Sequence, residues 1–281
     1  MFNTMKTFAL MAGLSVLLVL IGGAFFGEQG ALLFFLGSLA INLGSFWFSD
    51  TIVLRSYRAR VVSEAEAPRL VSTVARLAQR ADLPMPRVAV IPQQAPNAFA
   101  TGRGPGSAVV AVTEGLLSML NQDELEGVLA HELGHVKNRD ILLSTIAASM
   151  VGAITMISRW GFYLGGSRER GVNPIVGLAV MILAPIGAML LQMSVSRSRE
   201  FGADKAGAEI SGKPLALASA LTKLERFAQS RPTDVNPATS HLFIVNPLGG
   251  LSGVTKLFRT HPATGDRVTA LQRLAQQMGQ A

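Results

Sequence analysis

Two histidines and a glutamate fall within five residues of one another in the stretch VLAHELGHVKNRD, residues 128–140: His131, Glu132 and His135. Side chains four apart on a helix share a face, one turn from each other. His131 and His135 can therefore present ring nitrogens to one ion about 2.0–2.1 Å from each. Glu132 lies about 100° round the axis, too far to be a ligand but within reach of a water beside the ion. Two ligands and a general base from little more than one turn are the content of H-E-x-x-H, and they point to metal-assisted hydrolysis. The chain has four histidines, and two of them stand here.

A catalytic zinc ordinarily takes three protein ligands and keeps the fourth position open. SRSREFGAD, residues 196–204, supplies the best candidate. Glu200 and Asp204 are again four apart and hence on one helical face. Glu200 can give the third ligand, and Asp204 can accept from the free ring nitrogen of a zinc-bound histidine, fixing its tautomer. By itself this stretch also reads as a solvated helix of mixed charge. Beside HELGH the ligand reading is preferred, with one Zn2+ per chain expected.

Glu200 stands 65 positions after His135, and most of that interval is apolar. Four apolar runs are candidate transmembrane helices: Phe8–Phe26, Ala31–Phe48, Ile141–Ser158 and Pro174–Val195. About 30 Å of hydrocarbon needs roughly 20 such residues. The first two, joined by GEQG, read as a tight hairpin; the last two read as a second one. A hairpin returns its ends to the same side, so it need not separate His135 from Glu200 in space. A cleaved signal sequence fits the first run less well: it lacks an A-x-A-like site and leads into a second apolar run.

Composition agrees. Hydrophobic residues make up 49% of the 281 and charged ones 15%, against about 25% in an ordinary soluble domain. With no cysteine, disulfides, thiolate ligands and a cysteine nucleophile are excluded. The net charge of +7 collects at the ends of the apolar runs, and no nucleic-acid-binding motif is present, so no nucleic-acid partner is expected. Lys6, Arg55, Arg58, Arg60, Lys137, Arg139, Arg197, Arg199 and Lys205 flank the runs on one side, while the first short loop carries Glu28 and no basic residue. Arg159, Arg168 and Arg170 in the second loop weaken the contrast without reversing it. The positive-inside rule then places both termini and both polar segments in the cytoplasm. The expected division is an N-terminal hairpin at 1–48, a first catalytic part at 49–140, a second hairpin at 141–195 and a second catalytic part at 196–281.

In the first polar part, Ser63 and Glu66 form an S-x-x-E box ahead of a helix expected over Glu64–Ala81, with Leu70, Val74, Leu77 and Ala81 on one face. Strands are expected at 87–91, 98–101 and 108–112, the last two joined by the turn GRGPGS. That turn is not a phosphate loop, because no helix follows it and Pro105 removes an amide donor. Thr113 can cap a short helix, and Gln122–Asp140 can form the helix that carries HELGH. The fold class is therefore mainly α with a small β-sheet.

HELGH followed by NRD, a helical hairpin and SRSREFGADKAG (196–207) resembles the HtpX-type heat-shock membrane zinc metalloproteases, and the resemblance covers nearly the whole chain. PNAFATGRGPGSAVVAVTEGLL (96–117), HLFIVNPL (241–248) and THPATGDRV (260–268) match in order and spacing. The resemblance implies an integral membrane protein with four transmembrane helices and a gluzincin-like catalytic domain split by the second hairpin. It implies zinc on His131, His135 and Glu200, with Glu132 as base, in a multi-pass protein of the bacterial inner membrane. Its substrates would be unfolded or damaged membrane proteins within the lipid bilayer. The strand Asn97, Ala98, Phe99 and Ala100 would pair with substrate backbone, and His261 and Arg267 would approach the site to stabilise the oxyanion. His261 and Arg267 read equally well as a helix-start histidine and a surface arginine, and His241 reads as structural. Two rival functions stand beside this one: a prenyl-protein processing protease, and a non-enzymatic membrane adaptor or holdase with a structural metal site.

Overall fold

The computed structural model describes residues 2–146, 197–230, 243–244 and 262–280. The second expected hairpin lies outside these residues apart from its helical start at 141–146, and so do His241 and His261.

The chain opens with α1, Phe2–Ser56, which is broken at Gly27 (φ 65°, ψ −158°) into two arms. A positive φ is available to glycine at no steric cost, and the break folds the arms together. Asn42 Nδ2 donates to Met11 O at 3.3 Å and to Ser15 Oγ at 2.7 Å, and the Phe8 and Phe46 rings stack at 6.4 Å. Among the described residues one helix, Gly27–Phe48, is long and apolar enough to cross a membrane; Met11–Leu20 is a shorter apolar stretch. Leu32, Leu33, Leu36, Leu43 and Phe48 are exposed on the second arm.

The sheet runs β1 (Arg60–Val61), β2 (Arg87–Ile91), β4 (Val109–Thr113), β3 (Ala98–Thr101) in spatial order. β2 and β4 are parallel and the outer pairings antiparallel. Alternation along each strand splits the apolar residues between two faces. Val88, Ala98, Ala100, Val110 and Val112 face the helical core, whereas Ala89, Ile91, Phe99, Val109 and Ala111 pack against Val53, Leu54 and Tyr57 at the end of α1. Both faces are covered, so these strands are apolar throughout.

Helix α2 is Pro68–Arg80, one turn shorter at its start than the expected Glu64–Ala81. The Ser63–Glu66 pairing does form, with Ser63 N donating to Glu66 Oε2 at 2.8 Å, but it closes a turn. Proline disfavours α geometry in the residue before it, and Ala67 sits at φ −140° and ψ 63°. β4 likewise ends one residue later than expected, because Thr113 both closes the strand and caps α3, Glu114–Met119, accepting from Leu116 N.

Helix α4, Gln122–Lys137, begins with a full capping box: Asn121 Oδ1 accepts from Glu124 N and Glu124 Oε2 from Asn121 N. It stops three residues before the expected Asp140, since Arg139 takes φ 57°. Around it pack α2, α5 (Arg197–Ser211) and α6 (Pro214–Ser230), and α7 (Thr264–Gln277) packs on α5 and α6. Glu126 pairs with Arg76 and with Lys213 Nζ at 2.7 Å, and Glu124 pairs with Lys223 Nζ at 2.7 Å. These pairs tie the start of α4 to α2 and α6.

Candidate active site

Helices α4 and α5 meet with almost nothing between them. A Cβ on Gly134 would stand 2.9 Å from Ala203 O, and one on Gly207 would stand 2.7 Å from His131 N. Glycine at both contacts lets the backbones approach, and this brings Glu200 to the histidine face of α4. Glu200 Oε1 lies 3.5 Å from His135 Nε2, and Glu200 Oε2 lies 3.9 Å from His131 Nε2. One ligand atom from each of His131, His135 and Glu200 falls within 4.8 Å of the other two.

A second set of groups grips the imidazoles from behind. Asp204 Oδ1 lies 2.9 Å from His131 Nδ1, and Asp140 Oδ2 lies 3.3 Å from His135 Nδ1. Arg267, buried on α7, donates to Asp204 through Nε at 2.8 Å and Nη2 at 2.7 Å, and through Nη1 to Ile244 O at 2.9 Å. Its Nη1 also lies 3.3 Å from Glu200 Oε2. Of the two readings open for Arg267, the surface arginine is excluded by its burial: it is an internal clamp beside the histidines, with its donors on Asp204 and Ile244. In the sequence Asp140 stands only as the close of NRD and of the expected helix Gln122–Asp140. Its one signal is an acid five residues beyond His135, which the structure places past the end of α4.

The donor set fits a divalent metal. Atoms about 2.1 Å from a tetrahedral centre stand about 3.4 Å apart; here the imidazoles stand 3.5 and 3.9 Å from the two Glu200 oxygens, and the three ligand atoms lie within 4.8 Å of one another. Charge agrees in sign: the acids Glu132, Asp140, Glu200 and Asp204 gather at the site against the guanidiniums of Arg199 and Arg267, which favours a bound cation. Burial works to lower the His135 imidazole, yet Asp140 and Glu200 outweigh it and push it up to about 10. The same acids would favour a bound cation, which has to displace that proton. For Asp204, burial is outweighed by the Arg267 guanidinium, which brings its carboxyl down to about 2.

Glu132 points to the edge of the sheet. Its Oε2 accepts from Ala100 N at 2.9 Å. Burial, the largest influence, pushes its carboxyl up from the usual range, with Glu200 adding to it and both histidines opposing. β3 is the last strand in the sheet order, and Asn97 O accepts from Thr113 N at 2.9 Å. In an antiparallel pair such bonds alternate, so the peptide groups of Ala98 and Ala100 turn away from β4, on the side where Glu132 meets Ala100. Ile244 N donates to Asn97 Oδ1 at 3.3 Å beside the strand's start.

The peptidase family M48 model matches residues 64–275, a span that holds the histidine pair, Glu200 and Arg267. The chain belongs to peptidase family M48. It is similar to proteins named protease HtpX homolog over nearly its full length. With the one from Salinibacter ruber it shares 56% identity, covering 97% of this chain and 98% of that one. With the one from Thermococcus kodakarensis it shares 54%, covering 98% and 97%. Among solved structures, the crystal structure of S. mikatae Ste24p aligns at a TM-score of 0.50 and 19% identity, covering 96% of this chain and 64% of that one. At that identity the likeness is one of fold. This M48 peptidase is therefore a membrane metalloprotease, mainly helical with a small mixed sheet, that acts on protein substrates and uses a metal cofactor.

Proposed function

We propose that this M48 peptidase is a zinc endopeptidase of the bacterial inner membrane that cleaves misfolded or damaged membrane proteins. In this reading His131, His135 and Glu200 hold the ion and Glu132 is the general base. One observation carries it: three ligand atoms converge within 4.8 Å, and the adjacent glutamate is aimed at the outward edge of a strand by the Ala100 amide.

Zinc bound there supplies a Lewis acid that polarises the scissile carbonyl and eases deprotonation of a water. The remaining work belongs to the chain. Glu132 takes the water's proton on a carboxylate oxygen and passes it to the leaving amine. Burial, which pushes its carboxyl up from the usual range, strengthens it as a base for that proton. Asp204 and Asp140 orient the two imidazoles through Nδ1, leaving each Nε2 turned to Glu200. The Ala98 amide and the outward carbonyls of Ala98 and Ala100 offer main-chain pairing to an extended substrate, which selects conformation more than side chains and suits a protease that clears unfolded chains.

The four apolar runs support four transmembrane helices, with the polar parts 49–140 and 196–281 together forming one catalytic unit on the cytoplasmic side. The basic flanks of the runs support that orientation.

Metal analysis combined with cleavage of unfolded casein and of a membrane-protein substrate in detergent tests the assignment. Wild type should carry one zinc per chain and cleave both. Glu132→Gln should keep the zinc and lose about 10²–10⁴-fold in turnover. Substantial cleavage by that variant would sink the role given to Glu132.

A further inference from the structure

β3 does not end freely. Beyond Thr101 the chain turns at Gly102, whose φ of 129° and whose approach to Ser107 O, 2.6 Å from where a Cβ would stand, admit glycine. Gly102 N donates to Thr145 Oγ1 at 3.3 Å, and Thr101 Oγ1 lies 3.1 Å from the same oxygen. Thr145 Oγ1 itself lies 2.6 Å from Ile141 O, to which it donates. A hydroxyl has one proton and two lone pairs. With the proton given to Ile141, both lone pairs accept, one from the Gly102 amide and one from the Thr101 hydroxyl. Thr101 and Thr145 are both wholly buried.

The outward-turned amides of this strand fall at every second residue. Ala100 N is held by Glu132 and Gly102 N by Thr145. Two successive outward amides are thus gripped from two helical segments: α4, which carries the general base, and the start of the third apolar run. That second segment packs into the membrane hairpin, where Leu142, Leu143 and Ile146 join Met11, Leu18 and Phe46.

We propose that Thr145 is a positioning residue: by holding Gly102 and Thr101 it sets where β3 lies against α4, and so where the Ala100 amide holds Glu132. It also ends the pairing edge. A substrate strand can use the Ala98 amide and the outward carbonyls of Ala98 and Ala100 but can run no further, because the Ala100 amide is held by Glu132 and the next by Thr145. This rests on the reading of Glu132 as general base.

Two near-isosteric changes separate positioning from packing. Thr145→Val keeps the shape and loses the hydroxyl; Thr145→Ser keeps the hydroxyl and loses a methyl. Each full-length variant is measured in detergent for kcat and KM on an extended peptide, for zinc content, and for amide exchange over residues 97–103. Thr145→Val should exchange faster at Ala100 and Gly102 and lose about 10- to 100-fold in kcat with zinc content unchanged, as expected when a catalytic group is displaced by about an ångström. Thr145→Ser should match wild type in both. The proposal is overturned if Val retains wild-type kcat, if exchange over 97–103 is unmoved, or if Ser fails while Val does not. Should wild type itself cleave nothing, the proposed function fails, and the exchange pattern alone still decides whether Thr145 holds the strand.

Discussion

Arg267 holds both carboxylate oxygens of Asp204, with Nε on Oδ2 at 2.8 Å and Nη2 on Oδ1 at 2.7 Å. The pair spans 63 positions of sequence and ties α7 to α5 directly behind His131. Both partners are buried, so removing Arg267 leaves the Asp204 carboxylate without its cation, with only the His131 ring beside it. Arg267→Met should cost about 3–5 kcal/mol of stability, read by chemical denaturation. Arg267→Lys should recover little of it, because a single ammonium cannot reproduce the two-pronged contact. A loss below about 1 kcal/mol for Arg267→Met would contradict the clamp.

Asp140 makes the corresponding contact to His135, 3.3 Å from Nδ1, from a position just beyond the end of α4. Partners of this kind typically contribute 10- to 100-fold in metal affinity. Asp140→Ala should weaken zinc binding by about that factor, measured by competition with a chelator. Unchanged affinity would mean that His135 needs no partner at Nδ1.

The difference between these acids and the HELGH residues explains what could be read from the sequence. His131, Glu132 and His135 lie within five residues, so helical geometry alone decides their relation. Strands 87–91 and 98–101 were equally legible, because turn residues bound them and their apolar character is continuous. Glu200 was legible as a candidate through its spacing from Asp204, but its approach to His135 depends on Gly134 and Gly207 letting two backbones touch. No local pattern announces that. Asp140 escaped because the positive φ at Arg139 turns the chain off the helix, which removes the three- and four-residue periodicity. Arg267 stays open between a site group and a surface arginine in the sequence because its partner Asp204 is 63 positions away. The start of α2 was misplaced for a local reason: the Ser63–Glu66 pairing is real, but Pro68 sets the first helical residue.

The paired acids at the start of α4 carry a pH dependence. Burial raises the Glu126 carboxyl, but Lys213, Gln122 and Arg76 outweigh it and leave it below the usual range; at Glu124, Lys223, Ser219 and the Asn121 amide do the same. Where a folded-state carboxyl is depressed, the unfolded chain binds more protons below its own value of about 4.3, so stability falls as pH falls. The contribution is whole above that value and is lost progressively beneath it. Denaturant unfolding from pH 6 down to pH 3 should show a decline that Glu126→Gln makes shallower. An equal slope in the variant would remove Glu126 from the cause.

The approach of α5 to α4 can be tested at two glycines of the same helix. At Gly207 a Cβ would stand 2.7 Å from His131 N, 2.8 Å from His131 Cα and 3.1 Å from Ala130 C. All three are backbone atoms, which cannot swing aside as a side chain would. Gly207→Ala must therefore push the helices apart, at a cost of about 1–3 kcal/mol. Because Glu200 lies two turns earlier on the same face, the displacement should also weaken zinc binding. Gly202 is the control, since its Cβ would meet nothing closer than Asn138 Nδ2 at 3.7 Å, an ordinary contact. Replacing glycine by alanine inside a helix gains up to about 1 kcal/mol where there is room, so Gly202→Ala should hold zinc normally and unfold at equal or higher denaturant. If the two variants behaved alike, backbone contact at Gly207 would not be what brings Glu200 to the histidines.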